Sequence, residues 1–556
     1  MLPFILNTFT RTNLRAAVLL PSVLCLLFAV TVDSQTPTPT PPGPTHADIL
    51  RGEYGKYRAN NDLLAYDLTI KVDPSRNYIT GTNSIQFKML SDDTRIQLDL
   101  YDNLYIDHIT MAKRELKYER DSGAVFVDFP TTLQKGQTYT IAFEYHGTPK
   151  TIGRFGGFTF GKDPKGRPWV FTACEGLGAS LWWPNKDQWK DEVNEMWMHV
   201  IIPNGLTDVS NGRFLKKRDL GDGFTQWDYH INYPINNYDV SLNIGNYEHW
   251  SDKLDDLTLD FYALPEDLEK AKAQFIQAKG MLKAYQFIFG EYPFKKDGYK
   301  LIQVPYSGME HQSAVTYGNR FANGYLERDW TGVGISTRFD FIIIHESGHE
   351  WFGNAVTAAD VSDMWIHEGW TTYLECLYVE YRWAHDDYLK YTNALKKKVQ
   401  NRTPIITHRG TNTEPPQDMY FKGALFLHTL RSVIDDDRKF YALIRDLFQK
   451  FKYQTIMTED IVAFFNDRTG MDLTPVFDQY LRHAAIPVLE LKFTTGMVAY
   501  RWKADEPTFS MPIKVGAKDN WRIIKPTTEW QTMQTPLTKD TFDVATDLYY
   551  VDIAKL

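Results

Sequence analysis

The sequence predicts a multidomain α+β protein, on three observations. Period-two alternation punctuated by turn residues runs from about Tyr66 to Tyr247. Apolar residues at helical spacing dominate from about Lys253 to the segment after Thr474. Beyond Pro487 the alternation returns and lasts to Leu556. The 556 residues exceed what one core holds, so several domains are expected. A charge of −9 argues against nucleic acid as a partner.

In chain order, Arg11 and Arg15 precede an apolar run from Ala16 to Val32, which ends at Asp33, Ser34 and Gln35. That is the charged, apolar and polar sequence of a signal peptide over 1–34, with an uncleaved signal anchor as the rival. Export as a secreted or periplasmic protein follows, and membrane attachment only if the anchor stays. Thr36–Thr45, TPTPTPPGPT, reads as an extended polyproline spacer within a Pro/Thr-rich linker over 35–52. Past the leader only Cys174 and Cys376 remain, so no disulfide framework is expected, and their pairing is left open. Asn401-Arg402-Thr403 is a weak glycosylation sequon, followed by Pro404.

An antiparallel β domain is expected over 53–250. It opens with Tyr66–Val72, the turn Asp73–Asn77 and the returning strand Tyr78–Met89. A mainly helical domain is expected over 251–486. There Glu266–Phe289 carries Leu268, Ala271, Phe275, Ala278, Leu282 and Tyr285 at helical spacing. Thr474-Pro475 reads as N-cap and first residue of the last helix. A small β-sandwich over 487–556 should use Val488–Phe493, Met497–Trp502, Met511–Val515, Trp521–Ile524 and Leu548–Val551.

The chemistry sits at 345–375. His345-Glu346-Ser347-Gly348-His349 is H-E-x-x-H, which on a helix puts both imidazoles on one face, with Glu346 placed as a general base. By itself the motif occurs by chance in long chains. The apolar run Phe341–Ile344 changes that reading, because two His and a Glu on a buried helix need compensation, and a metal is the simplest form of it. A third ligand is then required, and Glu368, nineteen positions after His349, is the candidate, carried on a second helix starting near Asp363.

H-E-x-x-H-x-W-F-G-N followed by E-G at this distance resembles the alanyl aminopeptidase and leukotriene hydrolase family of zinc peptidases. The resemblance covers roughly 60–556. It implies a saddle-like N-terminal β domain, a thermolysin-like catalytic domain and one zinc ion per chain held by His345, His349 and Glu368. It also implies that the family's C-terminal helical domain is absent. In Thr172–Gly176 the resemblance assigns Glu175 to the substrate's α-amine, although Ala173 stands where the family often has Gln. Tyr306–Gln312 resembles the family's G-x-M-E-N segment. Gly308 and Met309 would run along the substrate backbone and Glu310 would supply a second carboxylate for the amine. Ser307 and His311 depart from that pattern. Tyr420, in Tyr-x-Lys-Gly with Lys422 and Gly423, is implied as the oxyanion stabiliser, with Lys422 a structural ion-pair partner. Glu375, two turns beyond Glu368, is expected to orient a ligand, and His367 receives no metal role.

These assignments predict an aminopeptidase acting on peptides with a free N-terminus. Two buried carboxylates beside the scissile bond would be left unpaired by an internal peptide segment. A zinc endopeptidase, an epoxide hydrolase and a catalytically silent peptide-binding scaffold are the alternatives. Oligomeric state and preferred first residue are not legible.

Overall fold

The computed structural model describes residues 43–518 and 520–556. The expected leader and most of the proline spacer lie outside them. The last residues of the expected linker are not spacer. Thr45 caps a helix over His46–Gly52, accepting from the Asp48 amide while the Asp48 carboxylate accepts from the Thr45 amide. Residues from Pro44 onward form one compact unit.

The N-terminal half is built of sheets. Asn61–Asp73 and Tyr78–Met89 pair antiparallel around the predicted turn, where Asn77 takes φ 51° and Asp73 accepts from the Ser75 amide. Leu68, Ile70 and Val72 are buried on one face, as the alternation requires. These two strands lie within an eight-stranded sheet. One pair departs from the antiparallel expectation: Asn61–Asp73 runs parallel to Glu195–Pro203, with Ala65 opposite Glu195. The chain between them passes through other sheets, so no hairpin fixes the returning strand's direction.

A four-stranded sheet contains Pro168–Ala173 and releases the chain at Cys174-Glu175. A five-stranded sheet contains Glu248–Leu254, Leu257–Ala263, Tyr299–Gln303 and Val315–Tyr317, with Gly308–Met309 at its edge. Lys253 therefore lies in a strand and not at the start of helical structure. Glu248–Leu254 pairs with Leu257–Ala263 within the sheet that carries Gly308.

The predicted helix over Glu266–Phe289 is broken. Helices Leu268–Phe275 and Gln277–Phe289 meet at Ile276, which is exposed. Thr474 is the first residue of its helix, after Leu473, so it is not the cap. The C-terminal strands are Val488–Thr494, Met497–Lys503, Ile513–Ala517, Asn520–Ile524, Gln531–Gln534, Asp543–Val544 and Asp552–Lys555, in two sheets. The last strand starts where Leu548–Val551 was expected to end, and polar Gln531–Gln534 carries no apolar alternation. Cys174 and Cys376 are separate buried thiols. Among the described residues no helix is long and apolar enough to cross a membrane.

Candidate active site

Helix Phe341–Gly348 is nailed at its start. Asp340 accepts from the Ile342 and Ile343 amides, and from Tyr317 Oη at 2.7 Å and Asn319 Nδ2 at 2.9 Å. Ile342, Ile343 and Ile344 sink into the core. His345 and Glu346 follow inside the helix. His349 sits at its C-cap but keeps helical angles, φ −60° and ψ −20°, so the i, i+4 facing survives.

Glu368 comes from helix Trp365–Arg382, after a short turn at Val361–Asp363. Its Oε2 lies 3.3 Å from His345 Nε2 and 3.4 Å from His349 Nε2, and the two Nε2 atoms are 3.3 Å apart. A tetrahedral ion with arms of about 2.0–2.1 Å has edges of about 3.3–3.4 Å. Three donors at that spacing fit zinc with a fourth position open. The outer ring nitrogens are engaged as this requires. His345 Nδ1 meets Glu375 Oε1 at 2.7 Å, and Glu375 Oε2 accepts from Tyr391 at 2.6 Å. His349 Nδ1 faces the Phe352 carbonyl at 3.1 Å. Each Nδ1–H donates outward and leaves its Nε2 lone pair for a metal. Burial alone would raise Glu368, but the two imidazoles hold it well below the usual carboxylate range.

Two glycines set how close the supporting helices come. A Cβ on Gly423, in helix Asp418–Ile434, would stand 3.0 Å from Gly369 Cα. This contact places Glu368 and Tyr420 on one cavity. Tyr420 stacks 6.1 Å from His345, centroid to centroid, and burial with the surrounding carboxylates keeps its phenol protonated. Lys422 is not an ion-pair partner. Its Nζ donates to the His483 and Ala484 carbonyls at 2.8 Å.

A cavity of about 340 Å³ gathers Ala173, Glu175, Gly308, Met309, Glu310, His345, Glu346, His349, Glu368, Glu375 and Tyr420, but not His311, His367 or Lys422. Glu346 is pushed up to about 7, chiefly by burial. Gly308 is the only residue type its position accepts, because a Cβ there would meet Ile342 Cγ2 at 2.7 Å and Glu346 Cγ at 3.0 Å. Glu310 is buried, with Oε1 accepting from Tyr238 at 2.9 Å and its carbonyl from Asn354 Nδ2 at 2.7 Å. Glu175 Oε1 has no partner among the described residues. Burial and then the Glu310 and Glu368 charges raise Glu175 well above the usual range.

His367, given no role from sequence, orders this corner. Its Nε2 accepts from the Ala358 amide at 2.8 Å, and its ring stacks on Trp189 at 5.0 Å. Burial holds it neutral, with a pKa of about 3. The remaining Nδ1–H faces Tyr238 Oη at 3.5 Å, which donates on to Glu310. No local pattern marks Tyr238 in the sequence, and Asn354 enters there only as the last residue of the H-E-x-x-H-x-W-F-G-N motif, without a role. His311 is buried, and neither ring nitrogen has a partner among the described residues.

Two family models match the chain: the peptidase M1 N-terminal domain over residues 63–238 and the peptidase family M1 domain over residues 274–480. The chain belongs to peptidase family M1. Among M1 relatives, the leucyl aminopeptidase of Saccharolobus solfataricus is 23% identical over 52% of this chain and 38% of its own length. The glutamyl aminopeptidase of Bos taurus is 24% identical over 57% of this chain and 35% of its own. The chain thus spans between about a quarter and a half of the length of curated relatives it matches, from 28% to 51%. An M1 zinc metallopeptidase of Deinococcus radiodurans, bound to a Tyr-Ser-Ala substrate, superposes with TM-score 0.64 at 20% identity. That match covers 77% of this chain and 96% of the other, and shows a shared M1 fold.

Proposed function

We propose that this M1 chain is a zinc-dependent aminopeptidase that removes the first residue of peptides. The observation that carries the reading is one cavity holding three metal donors at tetrahedral spacing together with two carboxylates, Glu175 and Glu310, that pair with no Lys or Arg among the described residues. A bound zinc ion supplies Lewis-acid polarisation of the scissile carbonyl.

The chain's own groups do the rest. Glu175 and Glu310 hold the α-ammonium, which offsets the cost of keeping two acids out of water. Gly308–Met309 is an edge strand, paired to Thr316–Tyr317 on one side only, so its free side can accept the substrate backbone as an added strand. Glu346 takes the proton of the attacking water and returns it to the leaving amine. Tyr420 donates its hydroxyl to the carbonyl oxygen as charge develops there. Glu375, through His345 Nδ1, fixes the direction of that ligand.

Metal analysis of the purified protein, combined with cleavage of a peptide and its N-acetylated form, tests the proposal. About one equivalent of zinc is expected, with hydrolysis of the free-amine peptide alone. Equal cleavage of both would favour the endopeptidase reading, and metal-free protein would overturn the zinc assignment.

A further inference from the structure

The cavity is electrically lopsided. Glu175, Glu310 and Glu414 line it, and Glu310 is tied to the His349 side by Asn354, which donates Nδ2 to the Glu310 carbonyl at 2.7 Å and its amide to the His349 carbonyl at 3.0 Å. On the His345 side the wall changes character. Phe341 stacks on His345 at 5.2 Å, and Trp330 packs edge-on against Phe341 at 5.2 Å. Lys398 Nζ stands 5.9 Å from the Trp330 centroid. All three residues line the same cavity.

Lys398 forms no ion pair among the described residues. Glu375, the acid that holds His345, has both oxygens engaged by His345 and Tyr391. The Trp330 indole N–H is buried and has no acceptor among the described residues. Arg154, the other Lys or Arg lining the cavity, likewise forms no ion pair among the described residues, and its guanidinium lies over Phe155 at 4.8 Å.

A substrate whose amine lies at Glu310 and whose first carbonyl lies at the metal donors continues away from the acids, past His345. Two or three further residues in extended form reach about 7–11 Å. We propose that Lys398, backed by Trp330, receives the C-terminal carboxylate of tri- and tetrapeptides, so that the chain is tuned to short peptides with both ends free. This rests on the aminopeptidase reading. The carboxylate would pair with the Lys398 ammonium, which is exposed to solvent and stands over the Trp330 indole.

The test compares a tripeptide and its C-terminal amide on the zinc-loaded full chain and on Lys398→Ala, Lys398→Arg and Lys398→Glu. The free acid is expected to exceed the amide in kcat/KM by about tenfold, through KM. Lys398→Ala should bring the ratio close to one, Lys398→Arg should keep it, and Lys398→Glu should invert it. A wild-type ratio near one, or a ratio unmoved in Lys398→Ala, overturns the proposal. Calorimetric binding of the same two peptides to Glu346→Gln decides Lys398 independently of turnover. If neither peptide loses its first residue but the acid binds about tenfold tighter in a Lys398-dependent way, the aminopeptidase reading fails and the carboxylate site stands.

Discussion

Glu346→Gln keeps the side chain's shape and removes its basicity. Zinc content and thermal unfolding should match wild type while kcat falls by about 10²–10⁴-fold. Full turnover in this variant would remove Glu346 from proton transfer. Glu310→Ala should cost free-amine peptides at least about tenfold in kcat/KM, and an equal loss on N-acetyl peptides would contradict amine anchoring. The pH profile has a definite sign. A base works deprotonated, so kcat/KM should rise with pH through the Glu346 pKa, which burial sets at about 7. A cation among the three ligands favours the carboxylate and moves that limb lower. The rate should fall again where a peptide α-amine loses its proton, at about pH 8. A profile without the alkaline fall on free-amine peptides would count against recognition of an ammonium. The metal donors and Glu346 were legible because they are local spacings. Tyr238 was not, since it reaches Glu310 from 72 positions away, and the contact of Asn354 with Glu310, across 44 positions, was not legible although Asn354 closes the H-E-x-x-H-x-W-F-G-N motif.

Elements deliver these side chains by contact between backbones. The meeting of Gly369 and Gly423 holds Glu368 and Tyr420 over one cavity. Gly369→Val would drive its side chain into the Met419 carbonyl, 2.9 Å from an ideal Cβ. Overpacking of this kind costs about 1–3 kcal/mol, so a lower melting temperature and a lower kcat should appear together. Loss of stability with kcat retained would separate Tyr420 from this contact. Element type was readable where periodicity was clear, as in Tyr66–Val72, which lies within the strand Asn61–Asp73. It failed at Gln531–Gln534, a strand specified by its neighbour Met497–Tyr500 and not by its own polar residues. It failed also at Ile276, where nothing local signals the break.

At the scale of the whole molecule, one continuous apolar core runs beneath both the N-terminal sheets and the helices. The fold therefore does not depend on metal in the way a small zinc domain does. Chelation should abolish peptidase activity and lower the melting temperature only by the binding energy lost. Zinc should restore activity without refolding. Far-UV dichroism that collapses on chelation would refute this. The parallel pairing with Glu195–Pro203 was illegible because strand direction after a long excursion is a property of the assembled sheets.

The helix at His46–Gly52 ties the chain's entry to the substrate end of the cavity. Arg51 Nη1 donates to the Leu177 carbonyl at 2.9 Å, and the Asn412 amide donates to the Asp48 carbonyl at 2.9 Å. Gly52 lies so close to Thr411 that no side chain fits between them. A pull applied upstream of Thr45, by a tether or a surface to which the chain is fixed, would load the segments bearing Glu175 and Glu414 before it reached the histidines. Glu175 and Glu414 would be displaced while His345, His349 and Glu368 kept their spacing.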